Sequence, residues 1–253
     1  MRKPRERSRG SESESSGLKV PEPEIAETIP FSGIRKTIAE RLSYSFRTAV
    51  PAMVAVEVDM GSLIELREKI KEKVGRISMT AFIVKAVATA LESHPLLNST
   101  LKEGKIVIYR DINISIAINT PRGLYAPVIR HANKKSVIEL SDEIRELTEK
   151  TLRNQLAIQD LLGGTFTITN LGPYGVDIFI PIINPPQSAI LGIGRITKKP
   201  VVIDDSIVVR PMATLCLVFD HRIVDGVPAA EFLGDVKRLI ENPQRLVADA
   251  SNK

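Results

Sequence analysis

Apolar residues recur along this chain at two different periods, and each period predicts its own kind of secondary structure. Spacing of three or four residues predicts helices near residues 34–42, 63–74, 79–91, 137–147 and 229–240. Alternating or uninterrupted apolar residues predict strands near residues 54–58, 105–109, 112–118, 165–169, 188–193, 201–203, 207–209 and 212–218. Helices come mainly early and strands mainly late, with at least one helix between them. The pattern therefore favours an α+β fold, a two-layer sandwich, over a doubly wound sheet.

The first 28 residues offer little apolar surface and are rich in Ser, Glu, Arg and Pro. We expect residues 1–28 to be a flexible linker or tail and residues 29–253 to form one folded domain. The start of this segment is basic, but no aromatic residue lies between its charges for base stacking. A solvated linker is therefore favoured over a nucleic-acid-binding arm.

The composition is that of an ordinary globular protein: 253 residues, 43% hydrophobic and 26% charged, with a net charge of +5. No apolar run approaches the roughly 20 residues of a membrane-spanning helix, and the N-terminal residues lack the apolar stretch of a signal peptide. We therefore expect an intracellular, cytoplasmic protein. The single cysteine, Cys216, excludes an intrachain disulfide and a metal site built from cysteines, and its apolar neighbours predict a buried side chain.

The main candidate for chemistry is the segment FDHRIVDG at residues 219–226, where a strand changes abruptly to a helix. His221 would leave the end of the strand and present its ring to a ligand. Asp225, four residues later, is near enough to steady the turn or the ring. The alternative is a surface turn with an incidental histidine, and these eight residues alone favour neither interpretation.

Other common sites are not supported by the sequence. It contains no phosphate-binding glycine loop, no complete dinucleotide fingerprint and no Gly-x-Ser-x-Gly elbow of a hydrolase. The three histidines have no metal-ligand spacing, so no metal is expected. His94, beside Pro95 at a helix end, is interpreted as structural, and His131, in a basic loop, as a solvated surface residue.

Six blocks, taken together in their order and spacing, identify a family. They are PFSGIRKTIA (residues 30–39), TAFIVKA (80–86), GLYAPVI (123–129), GTFTITNLG (164–172), INPPQ (183–187) and FDHRIVDG (219–226). From about residue 29 to residue 246 the chain resembles the catalytic domain of the dihydrolipoyl acyltransferases of 2-oxo-acid dehydrogenase complexes. That domain is in turn similar to chloramphenicol acetyltransferase. The resemblance implies a two-layer α/β sandwich with a mixed β-sheet, chloramphenicol acetyltransferase-like.

The resemblance also implies a reaction, the transfer of an acyl group from a dihydrolipoyl arm to coenzyme A. His221 would be the general base, because a thiol at neutral pH is only a few per cent thiolate and must lose its proton to attack. Thr169 matches the position at which the family places a hydroxyl that stabilises the tetrahedral oxyanion. Without the family match, Thr169 would be interpreted as a threonine that closes a strand.

Four further residues would have supporting roles in this reaction. Asp225 matches the family's motif carboxylate, which holds the histidine turn in place, and Arg35 is a candidate for an arginine through which it would act. Asp220 and Arg222 belong to the same motif and would brace the turn rather than touch the substrate.

The implied substrates and partners follow from the same resemblance. Coenzyme A would be a substrate, the lipoyl group would come from a lipoyl domain that is not present in this chain, and no metal would take part. The chain would form a homotrimer with active sites between subunits. Trimers would assemble into a larger cubic or icosahedral-type core that serves a 2-oxo-acid decarboxylase or dehydrogenase component and a dihydrolipoyl dehydrogenase. No nucleic-acid or membrane partner is expected.

Two features depart from the full-length family pattern. The lipoyl domain and the peripheral-subunit-binding domain are absent, which we interpret as a truncated core or as a core served by another chain; the Ser-, Glu- and Pro-rich start favours truncation. The C-terminus continues with polar residues to Lys253, which puts the large assembly in question. Two other functions stay open: a stand-alone coenzyme A-dependent acetyltransferase of a small acceptor, and a non-catalytic structural hub of a multienzyme complex.

Overall fold

The computed structural model describes residues 23–247. The predictions for residues 1–22 and for the C-terminal residues 248–253 lie outside that range. Residues 23–31 belong to neither helix nor strand and are exposed, and the larger of the chain's two units begins at Ser32.

Six α-helices lie in the described part of the chain, and the apolar spacing predicted all of the long ones. They are α1 (Gly33–Thr48), α2 (Gly61–Val74), α3 (Met79–Leu91), α4 (Val137–Leu152), α5 (Ile158–Leu161) and α6 (Gly226–Glu241). Helix α3 is mostly apolar and has ten buried residues, one of which is Lys85, so it lies at the centre of the helical layer. Helix α4 begins with a capping box, in which Ser136 and Glu139 each accept a hydrogen bond from the other's backbone N–H.

The strands form one mixed sheet and two small hairpins. They are β1 (Pro51–Asp59), β2 (Ser99–Lys102), β3 (Lys105–Ile108), β4 (Ile114–Ile116), β5 (Ile118–Thr120), β6 (Gly123–Tyr125), β7 (Val128–Ile129), β8 (Phe166–Asn170), β9 (Ala189–Ile193), β10 (Thr197–Ile203) and β11 (Ser206–Asp220). The main sheet has the order β1-β11-β9-β8-β4-β7, with β10 also paired to β11. Strand β8 runs parallel to β4 and β9, whereas the other pairs are antiparallel.

One core joins the two layers. Side chains of α3, α4 and α6 pack against one face of the sheet, with Phe82, Phe166 and Phe232 among the fully buried residues. This packing confirms the predicted two-layer α/β sandwich with a mixed sheet. The opposite face of the sheet carries a small cluster of Ile183, Ile190 and Val218.

Three predicted strands are corrected. The run of isoleucines at residues 112–118 is not one strand, because β4 pairs with β7 and β8 in the main sheet whereas β5 pairs with β6 in a separate hairpin. The segments near 207–209 and 212–218 are one long strand, β11. The strand continues through Pro211, whose carbonyl accepts a hydrogen bond from the Met60 N–H, and the neighbouring Arg210 pairs with Asp59.

Among the described residues, no single helix has the length and apolarity to cross a membrane. Only α2 and α3 taken together meet that requirement, and they are bent by 116° at the break between them.

Candidate active site

The turn that carries His221 lies between β11 and α6. Strand β11 ends at Asp220, and the His221 N–H donates a hydrogen bond of 2.8 Å to the Val50 carbonyl at the start of β1. The ring packs at a tilt of 40° against Phe219, with 5.7 Å between ring centroids, and 46% of the side chain is exposed. The backbone of the histidine is therefore fixed by the sheet, while its ring is left accessible.

Asp220 and Arg222 form an ion pair that stabilises this turn. The Asp220 carboxylate is buried and accepts hydrogen bonds from the Arg222 guanidinium at 2.6–3.1 Å and from the backbone N–H groups of Arg222 and Val50. Burial alone would raise the pKa of this carboxyl, but the bonds from Arg222 and Val50 outweigh burial and lower the pKa. The carboxylate therefore stays charged and ties the turn to the edge of β1.

Asp225 occupies the N-cap position of α6, but its side chain makes no capping hydrogen bond. Its Oδ1 atom lies 3.7 Å from Nδ1 of His221, which is too long for a hydrogen bond, and 84% of the side chain is exposed. Nδ1 therefore faces the carboxylate, and no hydrogen bond within the described residues engages Nε2. Within residues 23–247 no ion pair or hydrogen bond joins Arg35, which is exposed, to Asp225, so the suggested arginine link is not seen in this chain.

Thr169 lies elsewhere in the sheet. It is half-buried near the end of β8 and pairs with Gly192 of β9, which in turn pairs with Cys216 of β11. Strand β8 runs parallel to β9, and β9 runs antiparallel to β11. The last residues of β8 therefore lie at the end of the sheet opposite to the His221 turn. Two strand spacings of about 4.8 Å and five residues of about 3.3 Å separate Thr169 from His221 by roughly 19 Å within one chain. The structure therefore brings His221 and Asp225 together, but it does not bring Thr169 to them.

A buried polar network beside Thr169 was missed in the sequence. Thr167, on the same face of β8, donates a hydrogen bond of 2.5 Å to the Gln187 side chain and accepts one from Asn184. Arg41 of α1 donates to the Asn184 side chain and to the Pro185 carbonyl. The INPPQ block and the alternating threonines of β8 were the available signals, because polar residues on a buried face need partners.

The other two histidines have surface or structural partners. His94 Nε2 lies 2.8 Å from the Asp235 carboxylate, and His131 Nδ1 lies 3.5 Å from Asp111. In the described part of the chain, no group of three or more His, Cys, Asp and Glu residues is arranged to hold a metal ion. Cys216 is buried, as its apolar neighbours predicted.

Comparison with known proteins places these features in a family. Residues 23–248 match the model of the 2-oxoacid dehydrogenases acyltransferase (catalytic domain). Over 226 residues the chain is 40% identical to the dihydrolipoyllysine-residue succinyltransferase component of the 2-oxoglutarate dehydrogenase complex of Haemophilus influenzae, which corresponds to 87% of this chain and 55% of that protein. The chain spans about half the length of the curated relatives it matches.

Two solved structures have a similar fold. One is the dihydrolipoamide acetyltransferase of Azotobacter vinelandii, in which the roles of a serine, a histidine and an asparagine in the catalytic mechanism were investigated. The other is the cubic core of the pyruvate dehydrogenase multienzyme complex. Each has a TM-score of 0.84 and 30% identity, and the match covers 90% of this chain and 99% of the other.

Proposed function

The chain belongs to the family of 2-oxoacid dehydrogenase acyltransferase catalytic domains, and we propose that its folded part transfers an acyl group from a dihydrolipoyl thiol to coenzyme A. The observation that carries the proposal is the His221 turn, in which a fixed backbone presents an accessible imidazole beside a carboxylate. The spacing of the candidate residues along the chain supports the proposal. In the Azotobacter enzyme the investigated histidine follows the serine by 52 positions and precedes the asparagine by four. Thr169, His221 and Asp225 have the same spacing here.

In the proposed reaction, His221 accepts the proton of the coenzyme A thiol, and the thiolate sulfur attacks the carbonyl carbon of the acyl-dihydrolipoyl thioester. The negative charge of the tetrahedral intermediate then lies on the former carbonyl oxygen, to which the Thr169 hydroxyl donates a hydrogen bond. When the intermediate collapses, the dihydrolipoyl thiolate leaves and takes the proton from the His221 imidazolium. The carboxylate of Asp225 steadies the charged ring, as the 3.7 Å separation allows.

We propose further that two copies of the chain build each active site. A reacting group must lie about 3 Å from both the base and the oxyanion donor. One chain holds Thr169 and His221 too far apart for this, so one subunit supplies His221 and its neighbour supplies Thr169. Apolar side chains are exposed beside both residues: Val50 next to the histidine turn, and Tyr174 in the loop after Thr169, are 54% and 68% exposed. Exposed apolar residues at these places are suited to contact between subunits.

The remaining partners complete the proposal. In a homotrimer, each chain would pair its His221 with Thr169 of one neighbour and its Thr169 with His221 of the other, and the likeness to a cubic core supports assembly of trimers into a larger particle. A lipoyl domain outside this sequence would bring the acyl group, and the 2-oxo-acid decarboxylase or dehydrogenase component and dihydrolipoyl dehydrogenase would act before and after it. Residues 1–28 would serve as the linker to the folded domain.

The proposal is tested by the thiol exchange itself. The purified protein is assayed for acyl transfer between acetyl-coenzyme A and free dihydrolipoamide, with the His221→Ala variant and a His131→Ala control in parallel. His131 has a similarly exposed side chain beside an aspartate, but it lies in a different loop. We expect His221→Ala to lower kcat by about 10²-fold or more and His131→Ala to have no effect. A wild-type protein without transferase activity toward any acyl-coenzyme A, or a His221→Ala variant that keeps more than about a tenth of kcat, would overturn the proposal.

A further inference from the structure

The row of residues that crosses the sheet at Thr169 contains a gap. Paired residues on neighbouring strands present their side chains on the same face, so Thr169, Gly192, Cys216 and Ala55 form one row on the face away from α3 and α6. Thr169 is half-buried and Cys216 is fully buried. Gly192 lies between them and has no side chain, so the row has a gap beside Thr169.

The ring of Phe179 fills this gap. A Cβ atom added at Gly192 would lie 2.9 Å from the ring's Cζ and 3.3 Å from both Cε atoms, so the tip of the ring points into the space that any other residue would occupy. Phe179 is half-buried in the connection between β8 and β9. Because neighbouring strands are about 4.8 Å apart, the ring tip is an immediate neighbour of Thr169 on this face.

The chain immediately around Phe179 is apolar. Residues 178–182 read Ile-Phe-Ile-Pro-Ile, and Cys216 and Ala55 continue the row beyond Gly192. The nearest cation along the chain, Arg195, is already bound by Asp177 through two hydrogen bonds of 2.5 and 3.0 Å. The ring and the apolar residues beside it in the chain therefore offer no cation to an acyl group that carries a free carboxylate.

From this geometry we infer that Phe179 sets the size limit for the acyl group and selects short, uncharged acyl thioesters. This inference rests on the proposed function, because it requires the thioester carbonyl to bind at the Thr169 hydroxyl. The acyl substituent on that carbonyl then extends along the sheet face, where the ring tip over Gly192 closes the space. An acetyl group ends before the ring, whereas a branched acyl group would meet it.

The test measures acyl preference rather than activity alone. The trimeric protein is assayed with acetyl-, isobutyryl-, isovaleryl- and succinyl-coenzyme A and free dihydrolipoamide, and kcat/KM is compared for wild type, Phe179→Ala and Phe179→Leu. Hydrophobic pockets discriminate by roughly 10- to 200-fold for one methylene group too many. We expect wild type to prefer acetyl, and Phe179→Ala to raise the isovaleryl-to-acetyl ratio of kcat/KM by about 10-fold or more. Phe179→Leu should shift the ratio in the same direction by less.

The control is Tyr109→Ala, which removes another half-buried aromatic ring outside the β8–β9 connection and should leave the ratio unchanged. If Phe179→Ala does not fold, the leucine variant decides the question, since leucine lacks the ring tip that fills the gap. An active wild type that prefers branched or succinyl groups, or ratios that stay within about 2-fold of wild type in every folded Phe179 variant, would overturn this inference and leave the proposed function intact. A wild type that is inactive with all four thioesters would instead remove the proposed function on which it rests.

Discussion

Replacing Asp220 by asparagine removes one charge from beneath the His221 turn and keeps the shape of the side chain. In the native turn the carboxylate, whose side chain is only 5% exposed, receives the Arg222 guanidinium and two backbone N–H groups. The asparagine amide can accept some of these bonds, but it cannot neutralise Arg222. The variant therefore tests whether the ion pair fixes the turn.

The size of the effect follows from the burial of the two partners. Removing one partner of a fully buried ion pair costs about 3–5 kcal/mol, because the other charge is left without compensation. Arg222 is 38% exposed, so water can solvate part of its guanidinium after the substitution. We therefore expect Asp220→Asn to lower the free energy of unfolding by about 2–3 kcal/mol at pH 7.

The stability difference between wild type and Asp220→Asn should depend on pH. The pKa of Asp220 is lowered from its ordinary value of 3.8, so the folded state holds the proton less tightly than the unfolded state. The stabilisation is complete above the unfolded pKa of 3.8 and is lost as the pH falls through the lower folded pKa. Wild type and Asp220→Asn should therefore differ between pH 5 and 7 and converge under strongly acidic conditions.

Two measurements at one fixed protein concentration check the prediction. Urea denaturation gives the free energy of unfolding, and the thiol-exchange assay gives kcat, which should fall by about 10- to 100-fold because a histidine displaced by about 1 Å loses its alignment. The control is Asp142→Asn, which breaks an exposed ion pair with Arg145 and should change stability by less than about 1 kcal/mol. An Asp220→Asn variant that is as stable as this control and fully active would show that the ion pair does not fix the turn.

Two further predictions concern stability. A Cβ at Gly194 would lie 2.0 Å from the Asp177 carbonyl oxygen, so Gly194→Ala should lower the free energy of unfolding by about 2–3 kcal/mol. Gly234→Ala in α6, where the added Cβ would meet open space, should raise it by about 0.5–1 kcal/mol, and equal shifts for the two variants would contradict the packing argument. The pKa of His94 is lowered, chiefly by burial, so its contribution to stability is present above its ordinary pKa of 6.5 and is lost as the pH falls through the folded pKa. His94→Gln should flatten the pH dependence of the denaturation midpoint below pH 6.5, and an unchanged profile would refute this.

Local patterns predicted the parts of the molecule that depend on neighbours in sequence. The largely apolar surface of α3 predicted both its limits and its central place, because a helix that is hydrophobic nearly all round is buried. The His221 turn was predicted for a similar reason, since the strand before it and the helix after it have clear and different periods.

Long-range pairing escaped prediction from the sequence. The isoleucines at 112–118 read as one strand, and only their different pairing partners divide them. The register that places Gly192 beside Thr169, and the ring of Phe179 above it, join segments that no periodicity relates. A glycine inside a strand was a usable signal of close approach at Gly192, because glycine weakens a strand unless something occupies the space of its side chain.

The shared active site is tested most directly by mixing two inactive variants. Thr169→Ala and His221→Ala should each lose about 10²-fold in kcat, through loss of the oxyanion donor and of the base. When equal amounts are denatured together and refolded, about a quarter of the contacts in a ring of random composition join an intact His221 to an intact Thr169. The account predicts that activity returns to about a quarter of the wild-type value. A mixture that forms mixed trimers and stays as inactive as its parents would contradict it.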